Sequence, residues 1–257
     1  MLRGMAMGLF ADPHTLILAC LAVIVIGMAK GGLSGVGALG TPILALAVPP
    51  AIAAAILLPV IIVQDVVSVW AFRHEWDRWI VGWMLPGAIV GIALATGFAA
   101  AVEERHLLLL LGAITLGFGL YRLWMERGGR IAAPSNSPGW VGSLFGIAAG
   151  VTSQIAHAGG PPFQMWVTPR KLPHATYIGT NAVLFALMNW LKVPGYVMLG
   201  TLNRETFAAA VVLMPLAVVS TIITLRLIRR MDSERFYTLI HVLMVLLGGK
   251  LVWDGIG

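Results

Sequence analysis

From Leu16 almost to Trp253 the chain is one apolar block after another. Most blocks come close to the roughly 20 residues an α-helix needs to cross the hydrocarbon core of a bilayer. Candidate spans fall at 14–30, 51–72, 79–100, 106–125, 174–198, 205–228 and 236–254, with a less apolar stretch at 139–157. Only 11% of residues are charged and 59% are hydrophobic. A soluble domain carries about a quarter charged residues, so this chain lacks the polar surface that facing water requires. The expectation is a single all-α membrane domain covering residues 1–257, a polytopic bundle of transmembrane helices with no soluble domain of its own.

The net charge of +6 does not point to nucleic acid. No basic helix face or aromatic-interleaved patch accompanies it, and basic loops are ordinary in membrane proteins. Cys20 is the only cysteine, which excludes an internal disulfide and a thiolate metal cluster. Pro13 and His14 stand where the apolar stretch of a lipoprotein signal belongs. Together with the lack of a small-x-small cleavage site, this reads Leu16–Met28 as retained helix. No cofactor motif is present; the six histidines show no HExxH spacing, and no phosphate-binding G-x-x-x-x-G-K-[ST] loop occurs.

One clearly polar linker, 126–138, divides the chain into a first repeat (14–125) and a second (139–254). The first contains GGLSGVGALGTP at 31–42, a short apolar piece, and Pro49-Pro50 opening a long helix. The second contains VTSQIAHAGGPP at 151–162, then FQMWV, then Pro169 and Pro173 ahead of a long helix. Two Gly/Pro-interrupted segments in corresponding positions of two halves point to a transporter site.

Basic residues follow the spans at Arg73 and Arg78, at Arg122, Arg127 and Arg130, at Arg170 and Lys171, and at Arg226, Arg229, Arg230 and Arg235. Eight simple crossings would put these on both sides of the membrane. If 139–168 enters and leaves on the cytoplasmic side, all become cytoplasmic. That gives about seven full spans (eight being the alternative), two inverted repeats with broken re-entrant segments, a cytoplasmic N-terminus and an external C-terminus.

Glycines 31, 32, 35, 37 and 40 followed by Thr41-Pro42 cannot sustain a regular helix. Irregular backbone at membrane depth survives only when buried in protein or lining a wet cavity. Pro42 and Pro161-Pro162 suit the first turns of short half-helices, whose unpaired N–H groups favour an anion. Close helix packing through small residues is the competing explanation.

Ionisable and polar groups at this depth are functional candidates. For substrate the set is Gly35, Gly37, Gly40, Thr41, Thr152, Ser153, Gln154, His157, Gly160, Thr180 and Asn181. For coupling or electrostatics it is Lys30, Gln64, Asp65, Asn189 and Lys192. Asp65 is either a proton-coupling acid or the structural partner of a cation such as Lys192. Lys30 either draws anions inward or snorkels to the interface. His157 either contacts the anion or ties down helix ends.

These motifs resemble the TauE/SafE family of sulfite and organosulfonate exporters. The resemblance rests on GGLSGVGALGTPILALAVPPAIAAAILLP in the first half and GVTSQIAHAGGPPFQMWVTPRKLPHATYIGTN in the second, and covers about 16–254. Gln154 and His157 stand where the family often has small residues. The resemblance implies export of a small sulfur-containing anion, such as sulfite or sulfoacetate, across the cell (inner) membrane. The implied partners are that anion and the lipid bilayer, with a homodimer left open and no nucleic acid. An anion channel or a non-transporting scaffold is the alternative. An intramembrane enzyme is disfavoured, because His157 with Asp65 is too sparse for a catalytic set.

Overall fold

The computed structural model describes residues 12–33, 35–129, 134–227 and 234–256. Arg130, Arg229 and Arg230 of the basic loops therefore lie outside the described residues, as does the middle of the polar linker.

Helix α1 (Pro13–Lys30) opens on Asp12, whose carboxylate accepts from the amides of His14 and Thr15 and from the Thr15 hydroxyl. Those bonds, the Thr15 hydroxyl foremost, hold the Asp12 carboxyl below its ordinary range. The chain then turns through Gly32 and Gly35, at φ 119° and 93°, where a side chain would be strained. It comes back as a short 3-10 turn (Val36–Leu39) and α2 (Gly40–Leu44). Gly37 lies against Ala29 and Gly40 against Ile26, so this return runs antiparallel to α1. Three long helices follow: α3 (Pro50–Ala71), α4 (Arg78–Ala101) and α5 (Glu104–Glu126).

The second half repeats the order. Helix α6 (Gly139–Ala156) ends on His157, which takes the left-handed conformation (φ 52°), and α7 (Gly160–Val167) folds back along it. Gly142 meets the Trp166 ring, and Trp166 Nε1 donates to Ser137 Oγ at 3.0 Å. Arg170, lying over the rings of Trp79 and Trp166, donates to the Ser137 carbonyl at 2.7 Å. The hairpin thus ends beside the residue that precedes it. Helices α8 (His174–Met198), α9 (Arg204–Leu227) and α10 (Glu234–Ile256) complete the repeat.

Equivalent helices of the two halves meet antiparallel. Along α3 and α8, Leu58 packs with Tyr196, Asp65 bonds Asn189, and the Glu75 carbonyl beyond α3 abuts Gly179. Along α5 and α10, Arg105 bonds the Gly255 carbonyl, Gly112 fits against Gly248 and Val252, and Arg122 reaches His241. The first helix of each half instead packs parallel to the third helix of the other. Gly27 and Gly31 of α1 meet Ser220 and Thr224 of α9; Gly87 and Gly91 of α4 meet Ser143 and Ile147 of α6. These pairings describe an inverted two-fold repeat whose halves interlock.

Six helices among the described residues are long and apolar enough to cross a membrane: α1, α3, α4, α5, α9 up to Arg226, and the Thr238–Ile256 part of α10. Helix α8, with 25 residues, is about 37 Å long but carries buried Asn189 and Lys192, which lower its apolarity. Large apolar side chains such as Leu94, Val212 and Leu246 lie exposed around the bundle, as lipid contact requires. The protein is a multi-pass membrane protein.

One expectation is corrected here. Strict alternation makes 14–30 and 51–72 run in opposite directions, but α1 and α3 run the same way. Gln64 Nε2 donates to the Val23 carbonyl at 3.1 Å, and seven residues further along α1 Ser68 Oγ donates to the Lys30 carbonyl at 2.9 Å. The glycine-rich return carries the chain back before α3 begins, as α7 does in the other half. Pro13, Pro50 and Ile256 therefore share one face, while Arg73, Arg127, Arg170 and Arg226 share the opposite one. The N-terminal and C-terminal helices do not begin and end on opposite faces, as the alternating count expects.

Candidate functional site

Both broken returns turn in the interior, and their turns open onto one cavity of about 70 Å³. From the first half it is lined by Gly35, Gly37 and Ala38 with Ala29 and Lys30 of α1; from the second by Gly160, Pro161 and Gln164 with Ser153 and His157. Ile61 of α3 and Asn181, Phe185 and Asn189 of α8 close it. The two return helices thus begin at the same place from opposite halves. Pro161 and Pro162 carry no N–H, so the second helix start offers the Gly160 amide rather than a full turn of donors. Donation on that side must come from side chains: Ser153 and Asn181.

The charged groups are arranged in two sets. Lys30 Nζ lies 2.5 Å from Asp65 Oδ1, and Asn189 Nδ2 donates to Asp65 Oδ2 at 2.6 Å. Both carboxylate oxygens are thereby engaged, and Asp65 is 2% exposed. Lys30 neither snorkels to the interface nor stands free; it lines the cavity and lies 5.5 Å from the centre of the Phe185 ring. The partner foreseen for Asp65, Lys192, goes elsewhere. Its fully buried ammonium donates to the Ser153 carbonyl and Ser153 Oγ, each at 3.1 Å, and lies 2.6 Å from His157 Nδ1. His157 Nε2 is 2.9 Å from the Ala54 carbonyl, and the ring stacks on Tyr196. The histidine joins helices of both halves and touches the cavity.

Of the sixteen predicted residues, Lys30, Gly35, Gly37, Ser153, His157, Gly160, Asn181 and Asn189 line this cavity. Asp65 and Lys192 stand directly behind it. The others are engaged elsewhere. Thr180 accepts from the Asp77 amide and donates to the Thr176 carbonyl, fixing the start of α4 against α8. Thr152 bonds back to Ala148 within α6. Gly40 and Thr41 are buried against α1 below the turn. Gln64 holds the Val23 carbonyl, and Gln154 faces a separate cavity of about 40 Å³ beside Pro50, Leu107 and Leu199.

Two contributors escape the sequence reading. Gln164 lines the cavity and accepts from Arg122 Nη1 at 2.8 Å. Arg122 Nε donates to His241 Nε2 at 3.2 Å, and His241 Nδ1 lies 2.6 Å from Glu126 Oε1. The available signal for Gln164 was its polarity within GPPFQMWV; Arg122 was masked by its place at the end of an apolar run, where a loop cation is ordinary.

The family model for the sulfite exporter TauE/SafE matches residues 19–251, nearly the whole chain. The chain belongs to the TauE/SafE family. Members of this family are membrane transporters of small anions, which accords with a small interior cavity that has Lys30 on its wall. No curated protein and no solved structure matches the chain. Among the described residues no group of His, Cys, Asp and Glu is placed to hold a metal ion.

Proposed function

We propose that this protein is a secondary transporter exporting a small sulfur-containing anion, sulfite, sulfoacetate or a related organosulfonate, across the cell membrane. The observation that carries this reading is the shared cavity: the starts of two broken returns from inverted halves face it, with Lys30 on its wall and Lys192 behind. Ser153, His157, Gly160, Asn181, Gln164, Gly35 and Gly37 contact the anion; Asp65, Asn189 and Lys192 position and charge the site. Alternating access follows from rocking of the two repeats about the α3–α8 seam. Export is the direction the family supplies.

Purified protein in liposomes moves labelled sulfite or sulfoacetate down its gradient, and unlabelled anion on the far side accelerates exchange. Absence of flux for every sulfur oxyanion and sulfonate overturns this function. Flux without exchange acceleration replaces the carrier with a channel.

The basic ends of the helices face the cytoplasm. Pro13 and Ile256 then both lie outside, which revises the cytoplasmic N-terminus of the alternating reading. With Cys20→Ala as background, Pro13→Cys and Ile256→Cys are each labelled by an impermeant maleimide on intact cells. Protection of either site until the membrane is opened refutes this orientation.

A further inference from the structure

Gln164 lies one turn into α7 from Gly160, and only 6% of it is exposed. The two ends of its amide are not equivalent. Arg122 Nη1 meets one of them at 2.8 Å, and a guanidinium has donors only, so that end is the oxygen. The other end lies beside the turn of the first return: a Cβ placed on Gly35 would come within 3.6 Å of Gln164 Nε2. Gly35 and Gln164 both line the cavity, and Nε2 has no hydrogen-bond partner among the described residues. A buried donor left in this way costs free energy until water or a ligand takes its hydrogens.

Arg122 is itself held. Its Nε donates to His241 Nε2 at 3.2 Å, which places the ring proton on Nδ1, 2.6 Å from Glu126 Oε1. Glu126 Oε2 accepts from the Thr238 hydroxyl at 3.0 Å. Side chains of α5 and α10 thus fix the guanidinium, and the guanidinium fixes the amide on α7. Exchanging the two amide ends would set NH₂ against N–H, so the donor stays turned toward the cavity.

Resting on the transport reading above, we infer that Arg122 is a positioning residue for the anion: it locks Gln164 so that Nε2 donates to an oxygen of the bound sulfite or sulfonate. Arg122 does not line the cavity, and it is half-buried near the basic end of α5, where solvent screens its charge. Its effect on the anion passes through one amide. Gln164 thereby joins Ser153 and Asn181 as a side-chain donor from the second half. Such a donor suits a sulfur oxyanion whatever its charge, because the oxygens it meets are acceptors.

The test is a double-mutant cycle on the binding of sulfite and of sulfoacetate to purified protein, read by calorimetry with a thermal melt of each variant. Gln164→Leu and Arg122→Met each weaken binding about tenfold, the size of one hydrogen bond to a charged group. The double variant binds within about twofold of Gln164→Leu alone, since Arg122 then has nothing to position. Additive losses, about a hundredfold in the double variant, make Arg122 act by its own charge and overturn the inference. Native affinity in folded Arg122→Met or Gln164→Leu protein overturns it too, because a merely structural role moves the melting temperature and not the affinity. If Arg122→Met does not fold, Arg122→Gln keeps a hydrogen-bonding group between His241 and Gln164 and takes its place in the cycle, with the same outcomes. A native protein that neither binds nor moves any sulfur anion fails at the transport function itself, and the inference falls with it.

Discussion

Lys192→Met abolishes anion binding while the protein still assembles. The methionine matches the stem of the lysine and is at home among Met188 and Tyr196, so little packing is lost. What goes is a fully buried cation whose hydrogen-bond partners are all neutral acceptors. Breaking a buried charge interaction by removing one partner costs about 3–5 kcal/mol, which corresponds to a loss of affinity of roughly two to four orders of magnitude. The acceptors left behind belong to Ser153 and His157, residues that line the cavity, and water entering from it replaces the lost ammonium, which keeps the folding cost below the binding cost. Anion binding to purified protein, read by calorimetry beside a thermal melt, separates the two. Native-like affinity in a folded Lys192→Met protein removes this lysine from the site's electrostatics.

How far the sequence reaches is visible in this same residue. Its presence in an apolar stretch was enough to single it out, but not to find its partner. Two roles were open for Asp65, one of them as the structural partner of a cation such as Lys192. The fold instead sets Asp65 opposite Asn189, one helix against its inverted counterpart, and turns Lys192 toward the end of α6. The breaks in each half were legible because glycine and proline clusters stop a helix whatever surrounds them. That both breaks border one cavity was not, since only the packing of α3 on α8 brings them together. Direction was misread at α1 for a related reason. A hydropathy pattern counts helices and cannot distinguish a crossing from a helix that returns through irregular chain. Thr180 and Gln154 were sound guesses from depth alone, but depth does not fix which side of a helix faces inward.

Gly146→Ala prevents the halves from locking together, although alanine is the better helix former by about 1 kcal/mol. A Cβ at Gly146 collides with the backbone carbonyl of Met84, and the same holds for Gly150 against Ala88; from the facing helix, Gly87 meets Ser143 O and Gly91 meets Ile147 O. Four glycines in register thus bring the α4 and α6 backbones into contact, and a main-chain atom cannot rotate away as a side chain can. Overpacking of this kind costs about 1–3 kcal/mol and at times more, because the whole helix must move rather than one rotamer. The interface between α1 and α9 is its counterpart in the other half and supplies the control. There the Cβ of Gly27→Ala meets Ser220 Oγ and Cβ, and the hydroxyl has other rotamers to take. Gly146→Ala therefore lowers the melting temperature in detergent markedly and reduces the folded yield, whereas Gly27→Ala does so less. Equal melting temperatures for the two variants would mean that the close approach of α4 and α6 contributes nothing beyond ordinary helix packing.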